Sequence, residues 1–224
     1  MKFNDKKVII FDLDGTLINS APDLALAVNH MLTSIGHKTF DETTIDGWVG
    51  NGAIVLVKRA LSGSRTVAEN IDNDLFEKAL NVFLRFYAKN LCIKTAPYPN
   101  VLQTLNYLKS NGYRLAIVTN KPFDFVEPIL KTLELIEYFE YFIGGDSLNE
   151  KKPSPLPLLH VCEKLEVTVD EALMVGDSKN DILASNACNM QNIGLTYGYN
   201  YGESIGVYNP SVICNDFGEI RELL

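Results

Sequence analysis

Four short apolar runs, each ending abruptly in a polar cluster, constrain this chain more than any other feature. Val8-Ile9-Ile10-Phe11 runs into Asp12-Leu13-Asp14-Gly15-Thr16, and Leu115-Ala116-Ile117-Val118 into Thr119-Asn120-Lys121. Tyr141-Phe142-Ile143 runs into Gly144-Gly145-Asp146 and then Lys151-Lys152-Pro153, and Ala172-Leu173-Met174-Val175 into Gly176-Asp177-Ser178-Lys179-Asn180-Asp181. Runs this short and continuous fit strands buried on both faces of a sheet. Asn192-Ile193-Gly194-Leu195-Thr196 is a fifth candidate strand. Helical patterns lie between them: Val101, Leu102, Leu105 and Leu108 share one face before Gly112, and Ser154-Pro155 offers an N-cap followed by proline at the first helical position. Strands alternating with helices predict an α/β fold, a doubly wound, mainly parallel sheet covered on both faces.

One stretch breaks the rhythm. From Asp12 to Arg114 no run has strand character. Ser20 with Asp23 three residues later has the pattern of a helix start, and Gly36 that of a stop. Leu24, Ala27, Met31, Leu32 and Ile35 form an apolar stripe between them; Leu75, Ala79, Leu80, Phe83 and Tyr87 form another. A structureless loop of such length is rare in a compact domain, so the spacing predicts a helical insert over 18–90, with 1–17 and 91–224 forming the core.

In an open parallel sheet, ligands bind outside the carboxyl ends of the strands. If the sheet is parallel, the four polar clusters meet on one edge. Asp12, Asp14, Asp177 and Asp181 would crowd there, and close carboxylates repel unless a cation compensates. An oxygen-only donor set without His or Cys points to a hard ion such as Mg²⁺. Lys152 adds a positive charge, the Thr119 hydroxyl adds a donor, and glycine-exposed amides complete a setting suited to a phosphoryl group.

Composition narrows the partners. The formal net charge is −8 and the closest approaches to a basic stripe are the pairs Lys6-Lys7, Lys58-Arg59 and Lys151-Lys152. A nucleic-acid partner is therefore not expected, whereas a small anion in a locally positive site is. Cys92, Cys162, Cys188 and Cys214 form no CxxC pair, which argues against a thiolate zinc site and fits core thiols in a reducing compartment. No apolar stretch is long enough for a signal peptide or a membrane span, so a cytoplasmic location is expected.

The segment Asp12-Leu13-Asp14-Gly15-Thr16-Leu17 resembles the first motif of the haloacid dehalogenase superfamily of phosphatases. Thr119 resembles its second motif, Lys152 before Pro153 its third, and Asp177 with Asp181 in GDSKND its fourth. The resemblance spans the chain, and the insert looks like that superfamily's helical cap, placed on a Rossmann-like core. Val49-Gly50-Asn51-Gly52, Lys58-Arg59-Ala60-Leu61 and Tyr197-Gly198-Tyr199-Asn200-Tyr201-Gly202 resemble the phosphoglycolate phosphatase branch. Asn19 stands where many relatives carry Asp.

The resemblance implies hydrolysis of a small phosphate ester, 2-phosphoglycolate, through an aspartyl phosphate on Asp12. Asp14 would be the acid and base. Mg²⁺ would be held by Asp12, the Asp14 backbone carbonyl and Asp177. Thr119, Asn120 and Lys152 would bind the phosphate, with Ser178 and Asp181 behind them. A monomer or homodimer is expected. A sugar-phosphate phosphatase or a β-phosphoglucomutase-like enzyme would use the same core, and a non-catalytic phosphoacceptor domain also gathers acids, Thr and Lys at strand ends.

Blander roles compete at several positions. Ser178-x-x-Asp181 is also a capping-box pattern. Lys151 competes with Lys152. Lys58 and Arg59 either anchor a substrate carboxylate or form a solvated face. Gly50 and Gly52 either shape a loop over the site or simply turn the chain. Tyr197, Tyr199 and Tyr201 read as loop packing, and His30, His37 and His160 are isolated.

Overall fold

The central strand β1, Val8–Phe11, is apolar on both sides because both sides are covered. Its four residues are fully buried. The computed structural model describes residues 2–224. Ile9 and Phe11 join one core with Leu115, Ile117, Leu173 and Val175, while Val8 and Ile10 join a second with Ala116, Val118, Ala172 and Met174. This two-residue alternation is what a strand sandwiched between helices requires. Each fully buried aliphatic or aromatic side chain contributes about 1.5–3 kcal/mol.

β1 is flanked by β4 (Arg114–Val118) and β6 (Ala172–Gly176). The sheet continues outward through β5 (Tyr141–Ile143) on one side and through β7 (Asn192–Leu195) and β8 (Val212–Cys214) on the other. The order is β5-β4-β1-β6-β7-β8, and every pairing is parallel. Among the helices, α5 (Val101–Ser110) and α6 (Phe123–Thr132) cover one face, and α7 (Leu156–Lys164) and α8 (Lys179–Ala187) the other. The doubly wound α/β reading holds. The edge strand β8 is an addition, three residues behind Pro210-Ser211 and too short to stand out.

Between β1 and β4 the chain forms α1 (Ala21–Ser34), α2 (Glu42–Asp46), α3 (Ala53–Ser62) and α4 (Asn73–Lys89). It leaves and returns through a two-stranded antiparallel ribbon, β2 (Ile18–Asn19) with β3 (Ala96–Pro97). The helix start at Ser20 is where the Ser-x-x-Asp pattern put it, but no side chain caps it. The Ser20 hydroxyl donates to Asp14 Oδ1 at 2.5 Å instead. The Asp23 carboxylate turns the other way, accepting from the Lys94 and Thr95 N–H groups at 2.9 Å and from the Thr95 hydroxyl at 2.7 Å. It thereby ties α1 to the returning strand. α7 likewise starts one residue later than expected, with Pro155 in the cap position and the Ser154 hydroxyl accepting from Leu156 N–H at 3.2 Å. Among the described residues no helix is long and apolar enough to cross a membrane.

Candidate active site

Register decides what meets at the sheet edge. Phe11 is level with Ile117 on one side and with Val175 on the other. Asp12, Thr119 and Asp177 are therefore each the first residue beyond adjacent parallel strands. The strand order reverses at β1, the switch point where open α/β sheets leave a crevice. Asp12 is placed by its own N–H, which donates to Val175 O at 3.0 Å.

Lys152 reaches this point from the loop after β5. It is 1 % exposed. Its ammonium donates to Val118 O at 2.5 Å and to Asp181 Oδ1 at 2.6 Å, and lies 3.0 Å from Asp12 Oδ1. The contact with Asp12 is ionic rather than a well-angled hydrogen bond, so Asp12 Oδ1 is buried without a hydrogen-bond partner. Burial alone would lower the Lys152 pKa, but Asp12 and Asp181 hold it above its ordinary value. Asp181 fills both roles open to it. Its Oδ2 accepts from the Ser178 N–H at 3.0 Å and hydroxyl at 3.1 Å, closing the capping box of α8, while Oδ1 holds Lys152. Lys151 is elsewhere, donating to Asn51 O at 2.9 Å.

Asp177 is gripped from two sides, by Thr16 of the first motif and by Tyr199, whose sequence context reads only as loop packing. The Thr16 hydroxyl donates to its Oδ1 and the Tyr199 N–H to its Oδ2, both at 2.6 Å. Gly15 (φ +91°) and Gly198 (φ +89°) press against the same carboxylate, and a Cβ on either would fall 2.3 Å from Asp177 Oδ2. Only glycine combines that backbone conformation with that approach. The Tyr199 hydroxyl also donates to Asn19 Oδ1 at 2.7 Å, so the Asn at that position has a partner of its own.

Asp14 has a separate cation partner. The Lys121 ammonium donates to its two oxygens at 3.0 and 3.1 Å and to the Tyr87 hydroxyl at 2.8 Å. Lys121 was passed over as part of the Thr119-Asn120-Lys121 cluster. The available signal was a charge imbalance, since Lys152 alone cannot offset that many acids. Burial would lower the Lys121 pKa, but Asp14 and Tyr87 raise it overall; burial pushes the Tyr87 hydroxyl up to about 12. The Thr119 hydroxyl accepts from Lys121 N–H at 3.2 Å. The Asn120 side-chain nitrogen is committed to Lys152 O at 2.9 Å, which leaves its main-chain N–H as the donor to consider.

These residues fit a bound cation. One oxygen each from Asp12, Asp177 and Asp181 lie within 4.8 Å of one another, all buried. Burial, opposed by Lys152 and reinforced by Asp181, pushes the Asp12 carboxyl up to about 7. Burial, then Asp12 and Asp181, push Asp177 well above the carboxylate range. With Asp12, Asp14, Asp177 and Asp181 all ionised, their ion pairs among the described residues come from Lys121 and Lys152, which leaves two carboxylate charges for a dication to match. Asp181 has both oxygens engaged, whereas Asp12 Oδ1 has none of its hydrogen-bonding capacity used.

The helical segment closes over this edge. Gly50 and Gly52 line a cavity of about 40 Å³ with Asp12, Asp14, Thr119 and Lys121; Leu56 and Phe83 are among its apolar walls. The Tyr201 hydroxyl donates to Asn51 Oδ1, and Asn180 Nδ2 to Gly50 O at 3.1 Å, joining that loop to the core. Arg59 does not face the cavity. It donates to Trp48 O at 2.6 Å and Arg65 O at 2.9 Å and stacks on Tyr201, while Lys58 lies over Phe76. The four cysteines are unpaired.

The family profile "Haloacid dehalogenase-like hydrolase" matches residues 9–195. The chain belongs to that family. This hydrolase is 51 % identical over 220 residues to a phosphoglycolate phosphatase of Colwellia psychrerythraea, covering 98 % of this chain and 97 % of that one. It is 48 % identical to the phosphoglycolate phosphatase of Psychrobacter arcticus, covering 98 % and 96 %. Among solved structures, a predicted phosphoglycolate phosphatase from Haemophilus somnus is similar to it with a TM-score of 0.93 at 42 % identity, covering 98 % of both chains.

Proposed function

We propose that this chain hydrolyses 2-phosphoglycolate to glycolate and phosphate through an acyl phosphate on Asp12. The near full-length likeness to phosphoglycolate phosphatases, at up to 51 % identity, carries the substrate. The buried, incompletely paired Asp12 carboxylate at the switch point supports its role as nucleophile.

Mg²⁺ would be held by Asp12, Asp177 and the main-chain carbonyl of Asp14. When bound, it supplies positive charge that offsets the repulsion between the Asp12 carboxylate and the ester's phosphate. The Asp12 carboxylate attacks phosphorus, the bond to the glycolate oxygen breaks, and Asp14 gives that oxygen a proton. Water then attacks the acyl phosphate, Asp14 takes the water's proton, and phosphate leaves with Asp12 restored. Splitting the displacement into two steps makes each easier. Lys152, the Thr119 hydroxyl and the Asn120 main-chain N–H hold the phosphate oxygens.

Asp181 and Ser178 fix Lys152 through the capping box of α8. Ser20 and Lys121 fix Asp14. Residues 18–90 act as a cap, whose Leu56 and Phe83 exclude bulk water from the reacting atoms. The unpaired thiols suit a reducing cytoplasm.

The test is kcat/KM for 2-phosphoglycolate beside glucose 1-phosphate, glucose 6-phosphate and a nucleoside monophosphate, each with Mg²⁺. The expected preference for 2-phosphoglycolate is at least ~10-fold. A higher value for a sugar phosphate overturns this substrate.

A further inference from the structure

The phosphate chemistry proposed above gives the buried Lys121 only a task it shares with Ser20, holding Asp14. Lys121 is 4 % exposed, yet Lys152 already serves the phosphate and the Ser20 hydroxyl already holds Asp14. A buried ammonium costs several kcal/mol in lost hydration, so its place asks for more than a spare contact. Lys121 is also the one lysine or arginine among the residues lining the 40 Å³ cavity, and the alternatives are spoken for: Arg59 donates to Trp48 O and Arg65 O, and Lys151 to Asn51 O. The ammonium's three donors go to the two Asp14 oxygens and the Tyr87 hydroxyl, so a substrate carboxylate would take over one of the two bonds to Asp14, which the Ser20 hydroxyl also holds.

We propose that Lys121 is the specificity-determining residue of this site, binding the carboxylate of the leaving group. The inference rests on the reading of the substrate as 2-phosphoglycolate. In that ester a single methylene separates the carboxylate carbon from the ester oxygen, so the oxygens at its two ends lie only ~3 Å apart by ordinary bond lengths. The ester oxygen must sit against Asp14 to receive its proton, and Lys121 Nζ is 3.0 Å from Asp14 Oδ1. A carboxylate one carbon further on therefore falls beside the ammonium. Tyr87, itself buried, holds the other side of the cation, with its ring centroid 4.8 Å from Nζ. Leu24, Val49 and Phe83 are among the cavity's walls, and their side chains offer a sugar's hydroxyls no partners. The cavity is small, and a two-carbon leaving group asks least of it.

The experiment compares kcat/KM on 2-phosphoglycolate with that on 2-hydroxyethyl phosphate, which keeps the skeleton and lacks the carboxylate. The wild-type ratio reads the substrate assignment, and its change in Lys121→Met reads Lys121. We expect the wild type to favour 2-phosphoglycolate and Lys121→Met to lose about 10- to 100-fold more on it than on 2-hydroxyethyl phosphate, the range of a hydrogen bond to a charged group. Equal losses on both esters, within about threefold, would mean that Lys121 serves only Asp14, and would overturn the proposal while leaving the substrate reading intact. A wild type with no preference for 2-phosphoglycolate would overturn both. Tyr87→Phe, which keeps the ammonium and removes one of its anchors, reads the same ratio should Lys121→Met fail to fold. A smaller loss in the same direction supports the proposal, and an unchanged ratio refutes it.

Discussion

Asp23→Asn should destabilise the protein although it changes only one atom and lies outside the reacting groups. The Asp23 carboxylate is 1 % exposed and joins α1 to residues more than seventy positions later. Its Oδ1 accepts from Lys94 N–H at 2.9 Å; its Oδ2 accepts from Thr95 N–H at 2.9 Å and the Thr95 hydroxyl at 2.7 Å. An amide must point a donor at one of these oxygens' partners. The less costly choice turns Nδ2 toward Lys94, whose N–H keeps only its 3.0 Å contact with the other oxygen, and leaves that oxygen on Thr95. That loses one bond and the charge assistance of two others. At roughly 1 kcal/mol for each of the three, with some relief from burying no charge, the cost is about 2–3 kcal/mol. In a chain of this size each 1 kcal/mol lowers Tm by about 2–4 °C, so a fall of about 4–12 °C is expected. Thermal denaturation followed by circular dichroism near neutral pH measures it. A variant melting within about 1 °C of wild type would show that the clamp carries no net energy.

Gly198→Ala would put a Cβ 2.3 Å from Asp177 Oδ2 and 2.4 Å from Gly15 O at φ +89°. Backbone strain and overpacking together predict a loss of at least about 2 kcal/mol, with weakened Mg²⁺ dependence; wild-type melting and activity would argue against the grip on Asp177. Chelation of divalent ions should abolish turnover and lower Tm, and Mg²⁺ should restore both, since a ligand bound only by the folded state stabilises it. A Tm indifferent to Mg²⁺ would contradict the unmatched charge at the site.

Legibility in the sequence followed how local each cause was. The strands from Val8, Leu115 and Ala172 were readable because burial on both faces leaves an uninterrupted apolar run, while those from Tyr141 and Asn192 were readable from shorter apolar stretches. The capping role of Asp181 was readable because its partner Ser178 is three residues away, whereas its contact with Lys152, 29 positions back, has no local signal. Asp23 was misread by the same logic. Ser20-x-x-Asp23 has a capping pattern, but the structure spends Ser20 on Asp14 and Asp23 on Thr95, and neither partner can be inferred from spacing. Lys121 and Asp14 are 107 positions apart, and Tyr199 and Asp177 meet through a main-chain N–H that any residue type possesses. The glycines at 15 and 198 were visible as turn formers; that both make room for one carboxylate became evident only when the strands were set side by side.

Rapid quenching of the enzyme with substrate labelled in its phosphate, followed by peptide mapping, tests the covalent route most directly. The account predicts label on the peptide containing Asp12, released by alkali or hydroxylamine as an acyl phosphate should be, and absent from a folded Asp12→Asn variant that also fails to turn over. Label on another residue, or steady turnover by Asp12→Asn, would contradict it.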